Sequence, residues 1–273
     1  MCRMAAYLGP PAPLAALLAD PPCSLTVQAY RPRRQTEGSI NVDGAGVAWW
    51  PAGEEAAPPL RYATALPPWS DPNLLPLAAR LTGTVQLAAV RDATPGMPCG
   101  ADATAPFTLD GVALAHNGRI GGFHGATGRE LLARLPEELL ATVGALTDSA
   151  VLFRTVLRHR RAGLRLAAAL AAAALEVEKL CADLGVAATL TMLAAAANER
   201  PGAVTVAGVR LAHAAPAPTL FTLRAGGRWP GAALAASEAL DDDPGWTEVP
   251  DRHLVELGHD RTTLTPLDAK DPR

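Results

Sequence analysis

The sequence predicts one α+β domain in which layered β-sheets are covered by helices. Three observations carry this. Strand-like segments occupy both ends of the chain, with two helix-period segments between them. No break in composition separates these parts. The length of 273 residues, 49% of them hydrophobic, is enough to bury a sizeable core without disulfides.

Residues 2–8 are apolar enough for a buried strand, and Gly9-Pro10-Pro11 predicts its end. Residues 14–18 read as a helical turn closed by Asp20-Pro21-Pro22. Arg31-Pro32-Arg33-Arg34-Gln35 is a basic, irregular stretch leading to a turn signal, Asn41-Val42-Asp43-Gly44. Residues 46–50 and 60–66 read as the strands of a hairpin around Glu54-Glu55. Residues 85–90 and 112–116 read as buried strands, the second ending in a tight His116-Asn117-Gly118. Then the period changes. Residues 148–160 place Val151, Leu152, Thr155 and Val156 at helical spacing, with arginines elsewhere. Residues 164–184 predict a second, Ala-rich helix, whose small side chains allow close packing on the first. Strands return at 188–192, 203–211, 219–224, 232–237, 254–257 and 262–265, with a hairpin turn at 198–202. No internal repeat is visible. The domain is expected to span residues 2–266, leaving 267–273 as a frayed polar tail.

Composition excludes several classes of function. The net charge of −3 provides no general field for nucleic acid. All the basic residues except Lys179 and Lys270 are Arg, which, beside abundant Ala, Pro and Gly, reflects GC-rich codons. Aromatics are only 4%, so the core must be built from Leu, Val and Ala. The longest apolar run, residues 166–175, is far short of a bilayer span. Pro10, Pro11 and Pro13 break what could otherwise be a signal-peptide core, so a cytoplasmic, reduced protein is expected. Cys2, Cys23, Cys99 and Cys181 form no CxxC pair, and the six His show no ligand spacing against them. Neither a metal site nor a disulfide framework is expected. Without a GxGxxG motif or a P-loop, no flavin or nucleotide cofactor is implied. Nothing in the sequence sets an oligomeric state.

Cys2 is the most informative residue. Removal of Met1 before this small residue would leave a cysteine with both a thiol and a free α-amine. An α-amine titrates at about 7.7–8.0, so near neutrality much of it is a base. Nucleophile and base would then come from one residue. Taken alone, a cysteine near a terminus is more often incidental. Asn117-Gly118 could offer a side-chain amide and a backbone N–H to one oxyanion, or could simply be a hairpin turn. Arg91, at a strand end in Val90-Arg91-Asp92-Ala93-Thr94, can grip a carboxylate or be a surface charge. Asp148-Ser149 opens the first long helix, where Asp148 is either an N-cap or the partner of a substrate ammonium.

Together these residues carry a resemblance. Met1-Cys2-Arg3, Asn41-Val42-Asp43-Gly44-Ala45-Gly46, Val90-Arg91-Asp92-Ala93-Thr94, His116-Asn117-Gly118 and Asp148-Ser149 occur in the order of the class II glutamine amidotransferase domain. That domain is an N-terminal-nucleophile hydrolase, a four-layer αββα sandwich. Tyr7 to Pro11, Arg31 to Gln35, Trp69-Ser70-Asp71, Thr94 to Pro98, Ala105-Pro106-Phe107 and Ala236-Ser237-Glu238 through Trp246 resemble its ergothioneine-pathway amidohydrolase branch, which removes glutamate from γ-glutamyl-hercynylcysteine sulfoxide. The resemblance covers nearly the whole chain. It implies that Cys2 attacks the γ-carbonyl and that Asn117 and Gly118 hold the oxyanion. Arg91 would bind the glutamyl α-carboxylate and Asp148 its α-ammonium, with Thr94 and Ser149 beside them. Arg34 and Ala45 would lie toward the leaving amine. The chain departs from the pattern at Met4 and Glu37, where His is expected, and at Ala45, where a large aromatic is expected. Trp49 and Trp50 could replace that ring or be hairpin core. Two other functions remain in view: a glutaminase supplying ammonia to a separate synthase, and a catalytically silent γ-glutamyl-binding protein.

Overall fold

The computed structural model describes residues 2–35, 38–200 and 203–267. In chain order the elements are β1 (Arg3–Pro13), α1 (Ala15–Leu18), α2 (Leu25–Tyr30), β2 (Ala45–Trp50), β3 (Leu60–Thr64), α3 (Leu74–Ala78), β4 (Thr82–Val90), β5 (Phe107–Leu109), β6 (Val112–Ile120), α4 (Ala126–Ala133), α5 (Glu137–Leu140), α6 (Asp148–Arg161), α7 (Leu166–Asp183), β7 (Ala188–Arg200), β8 (Ala203–Arg210), β9 (Ala212–His213), β10 (Phe221–Arg224), β11 (Ala233–Ala236), β12 (Thr247–Glu248), β13 (His253–Leu257) and β14 (Thr262–Pro266).

The strands form two antiparallel sheets. One has the order β12-β10-β11-β1-β4-β2-β3, the other β14-β13-β8-β7-β6-β5, with β9 beside β7. Strand alternation sorts the side chains into three apolar layers. Met4, Ala6, Leu8, Leu87 and Trp50 of the first sheet meet Ala113, Ala115, Leu193 and Val206 of the second between the sheets. Ala5, Tyr7, Ala45, Val47 and Trp49 face the opposite way, against Leu17 of α1, Leu25 of α2 and Leu74 of α3. Val112, Leu114, Leu190 and Met192 pack outward against Phe153 of α6 and Leu170 of α7. The result is the four-layer αββα sandwich that the resemblance implies, as one α+β unit.

Several elements differ from expectation. β1 does not stop at Gly9-Pro10-Pro11 but runs to Pro13. Its ladder with β4 shifts register between Leu8 and Ala12, so Pro10 and Pro11 sit in a bulge, where a missing N–H costs no ladder bond. Pairing with β11 has already ended at Leu8, so that flank needs no donor either. β6 does not end at His116-Asn117-Gly118. Asn117 pairs with Thr191 and Gly118 with Leu190 inside the ladder with β7, which rules out the hairpin turn. The hairpin expected at 198–202 falls partly outside the described residues, as do Glu37 and the tail beyond residue 267. Helices α2 to α5, all of eight residues or fewer, are not predicted by the sequence pattern.

Candidate active site

The site lies at one end of the sandwich, where β1 begins and β4 ends. Arg3 pairs with Val90, so the residues flanking this pair, Cys2 and Arg91, leave the sheet side by side. Two backbone bonds hold Arg91 in place. Its N–H donates to Gly44 O at 2.8 Å, and its carbonyl accepts from Asp43 N at 2.9 Å. The Asp43 carboxylate then accepts from Ala93 N at 2.7 Å, which shapes the turn after Arg91. Gly44 has φ +143°, and a Cβ there would stand 2.4 Å from Thr104 Oγ1. Only glycine suits that turn. The Asn41 to Gly44 signal thus works as a clamp on the strand end that carries Arg91.

The second sheet contributes β6 and the start of α6. Thr147, not Asp148, is the helix N-cap, its Oγ1 accepting from Ala150 N at 3.0 Å. This frees Asp148 from the capping role. One of its carboxylate oxygens accepts from Ile120 N at 3.0 Å and the other from Ser149 N at 2.8 Å, tying α6 to the end of β6. Gly118 is required sterically, because a Cβ would lie 1.9 Å from Thr189 O and 2.6 Å from His116 Nε2.

Cys2, Arg91, Thr94, Gly118, Asp148 and Ser149 all line one cleft. Asn117 is the next residue along β6 and is fully buried. Among the described residues, neither its amide nitrogen nor its amide oxygen has a hydrogen-bond partner, and the same is true of Arg91 Nη1. Arg91 Nη2 donates to Pro98 O at 2.8 Å, which fixes the guanidinium while Nη1 stays free. An unmade buried hydrogen bond costs about 1–3 kcal/mol, so these atoms beside a cleft are places for a ligand to complete. Cys2 Sγ stands 4.0 Å from the carbonyl oxygen of Asp92. Burial pushes its thiol above the ordinary cysteine range, and nearby Arg91 opposes that shift only in part. The thiol therefore rests protonated and needs a base to be activated.

The structure does not bring every expected residue to the cleft. Ala45 is fully buried in the outer core with residues of α1, α2 and α3 and is not among the residues that line the cleft. An aromatic ring there would belong to the outer core. Trp50 lies between the sheets and Trp49 in the outer layer, so both are core residues. Met4 is buried between the sheets. Arg34 is absent from the cleft lining; its guanidinium stands 6.0 Å above the Phe221 ring.

His116, quoted in the sequence motif without a role, lines the cleft. Its Nε2 is 3.0 Å from Thr189 O, which can only accept, so Nε2 carries the proton. Nδ1 then accepts from the Ser149 hydroxyl at 2.9 Å. Burial holds the ring below its usual range, although the Asp148 charge favours protonation. The unfolded ring titrates near 6.5 and so binds protons first as pH falls. The stability that this neutral ring contributes is complete above that value and is lost below it. From pH 7 to pH 5 the melting temperature of the wild type should fall more steeply than that of His116→Gln. Parallel curves would refute this.

Among the described residues, no group of three or more His, Cys, Asp or Glu could hold a metal ion. Nor is any helix long and apolar enough to cross a membrane.

Comparison with known proteins extends this picture. No family model matches the chain. Over 275 residues, all of both chains, it is 38% identical to the γ-glutamyl-hercynylcysteine sulfoxide hydrolase of Mycobacterium tuberculosis, in strains CDC 1551 and H37Rv. The chain belongs to the γ-glutamyl-hercynylcysteine sulfoxide hydrolase family. The Mycolicibacterium smegmatis member is 35% identical over 267 residues, covering 98% of this chain and all of that one. In shape, this hydrolase is similar to a glutamine aminotransferase class-II domain protein from Silicibacter pomeroyi, with a TM-score of 0.69 and 22% identity over 97% and 99% of the two chains. A predicted glutamine amidotransferase from Pseudomonas aeruginosa PA01 gives 0.52 and 17%, over 96% and 95%. These two likenesses establish the fold, that of the class-II glutamine amidotransferases.

Proposed function

We propose that this hydrolase cleaves the γ-glutamyl amide of γ-glutamyl-hercynylcysteine sulfoxide and releases glutamate, in the cytoplasm and within ergothioneine synthesis. The observation that carries the reading is that a thiol, a guanidinium with a free N–H and a buried carboxylate share one cleft. A γ-glutamyl end carries an α-carboxylate and an α-ammonium on one carbon. Arg91 takes the first and Asp148 the second. An internal peptide bond lacks both groups and is rejected.

With Met1 removed, the α-amine of Cys2 takes the thiol proton, and Sγ attacks the γ-carbonyl carbon. The carbonyl oxygen becomes an oxyanion, held by Asn117 Nδ2–H and the Gly118 N–H. The C–N bond then breaks, and the leaving nitrogen takes the proton from the α-ammonium. This leaves a thioester on Cys2. Water, deprotonated by the same amine, attacks the thioester, and the thiol regains its proton as glutamate departs. His116 stays neutral in this scheme and orients Ser149 beside Asp148.

The test is to compare kcat/KM for γ-glutamyl-hercynylcysteine sulfoxide and for glutamine. The sulfoxide should be hydrolysed far better. If glutamine is as good or better, the ammonia-supplying function takes its place. If neither reacts but another γ-glutamyl amide does, the chemistry stands and the substrate assignment fails.

A further inference from the structure

A buried charge pair stands directly behind the nucleophile. Arg3, the residue after Cys2, is 0% exposed and donates from Nη1 to Glu238 Oε1 at 3.2 Å; Glu238 is 3% exposed. Neither residue lines the cleft. The pair is poorly suited to stabilising the fold. Burying two charges often costs more than their attraction returns, and apolar residues of similar volume commonly do as well. Among the described residues, Arg3 Nε and Nη2 are buried without a hydrogen-bond partner. What the pair does have is a fixed place. Glu238 Oε1 also accepts from the backbone N–H of Arg34 at 2.9 Å, and Oε2 from that of Arg33 at 2.7 Å. Two backbone donors thus hold the carboxylate to which Arg3 is tied.

The strand ladders show what the pair adds. On the β4 flank, β1 is paired up to its first residue, Arg3 with Val90. On the β11 flank the ladder stops two residues short of that, at Ala5 with Ala236. Past that point the chain after β11 continues the grip, partly with side chains. Ser237 Oγ accepts from Met4 N at 3.0 Å, and Ser237 N donates to Met4 O at 2.8 Å. Glu238 then takes the Arg3 guanidinium. Residues 4 and 3 are held in turn, up to the peptide bond that joins Arg3 to Cys2. Cys2 itself lies outside β1, and among the described residues the hydrogen bond of its thiol is the 4.0 Å contact with the Asp92 carbonyl. Once Met1 is removed it is a chain end with one covalent neighbour, and chain ends are poorly ordered unless tied down.

We infer that the Arg3–Glu238 pair is a positioning device for the nucleophile: it locks the start of β1 so that Cys2 keeps its thiol and α-amine in place at the cleft shared with Arg91, Gly118 and Asp148. This rests on the proposed reaction of Cys2, in which one residue presents nucleophile and base together. A misplacement of about 1 Å at a reacting group can cost on the order of 10²-fold in rate. A loosened Cys2 therefore slows the chemistry on every γ-glutamyl compound. Binding of the glutamyl end to Arg91 and Asp148, which belong to other elements, is left as it was.

The experiment uses protein whose intact mass begins at Cys2 and compares wild type with Glu238→Gln and Arg3→Met. It measures kcat on the γ-glutamyl amide that wild type hydrolyses best. It also measures the inhibition constant of glutamate and the maximal rate at which 6-diazo-5-oxo-norleucine, a glutamine-like electrophile, alkylates Cys2. Glutamate has the α-carboxylate and α-ammonium but no amide to cleave, so it reads binding alone. The expected result in both variants is a fall of tenfold or more in kcat and in the alkylation rate, with the glutamate constant changed less than threefold. A smaller fall in either rate overturns the inference. So does a glutamate constant raised threefold or more, because a general pin for the fold loosens the whole cleft. Arg3→Met leaves Glu238 both backbone donors and isolates the link to β1; it decides the matter if Glu238→Gln does not fold, and the reverse holds. The wild type judges the proposed reaction separately. If it is not alkylated at Cys2, that reaction and this inference both fall; if it is, the variants alone decide the inference.

Discussion

A Cys2→Ala variant is expected to fold normally and to lose turnover by a factor on the order of 10⁴–10⁶, the scale seen when a covalent nucleophile is removed. The site is half-buried, and the change deletes one sulfur from the rim of a cleft, so stability should move by about 1 kcal/mol or less. The same loss should follow from any residue left in front of Cys2. Burial keeps the thiol protonated, and among the described residues the hydrogen-bond contact of Sγ is a backbone carbonyl, not a base. An amide nitrogen in place of the α-amine cannot accept the proton. Intact mass of untagged protein should therefore begin at Cys2, and a cleavable N-terminal tag should act as an on–off switch for turnover. Full activity with the extension retained would remove the α-amine from the mechanism.

Much of the architecture was legible because the long elements have clear periods. Residues 148–160 alternate at helical spacing and form α6. The apolar runs at 85–90 and 112–116 lie within β4 and β6. What escaped has physical causes. Strand β7 is buried on both faces and carries four consecutive alanines, so its full length shows no alternation. Helices α2 to α5 are shorter than the window in which a period of 3.6 can be recognised. Pro10 and Pro11 of β1 announce an end, but the bulge absorbs them.

The site divides in the same way. Cys2, Arg91 and Asp148 reach one cleft because each sits at an element end, and motifs mark element ends, whereas Gly118 reaches it from inside β6. Ala45 was misplaced because a departure from a family pattern does not say which face of a strand it lies on. Its parity with Val47 and Trp49 sends it to the outer core. Glu238 was quoted in a motif without a role, since its partners lie more than 200 residues away in sequence. No local pattern can announce such a bond.

The second large effect concerns recognition of the glutamyl end, and the structure changes how it should be tested. Asp148→Asn keeps the shape of the side chain but turns one acceptor oxygen into a donor. Ile120 N–H and Ser149 N–H now each use one oxygen, so one of them loses its partner. That alone should cost about 1–3 kcal/mol of stability. Comparing activity with melting temperature therefore cannot separate ligand binding from structure in this variant. A chemical cycle can. If Asp148 pairs with the α-ammonium, Asp148→Asn should lower kcat/KM for a γ-glutamyl amide by about 2–5 kcal/mol, the range for one broken partner of a buried charge pair. For the analogue lacking the amine, a glutaryl amide, the same variant should lose far less, because the partner is already gone. Arg91→Met should show the mirror pattern, with a large loss on the full γ-glutamyl group and a small one on an analogue lacking the α-carboxylate. Arg91 Nη1 has no hydrogen-bond partner among the described residues, so its share of the effect should fall on ligand rather than fold. Equal losses for both compounds in either variant would mean that the residue shapes the cleft without reading the charge.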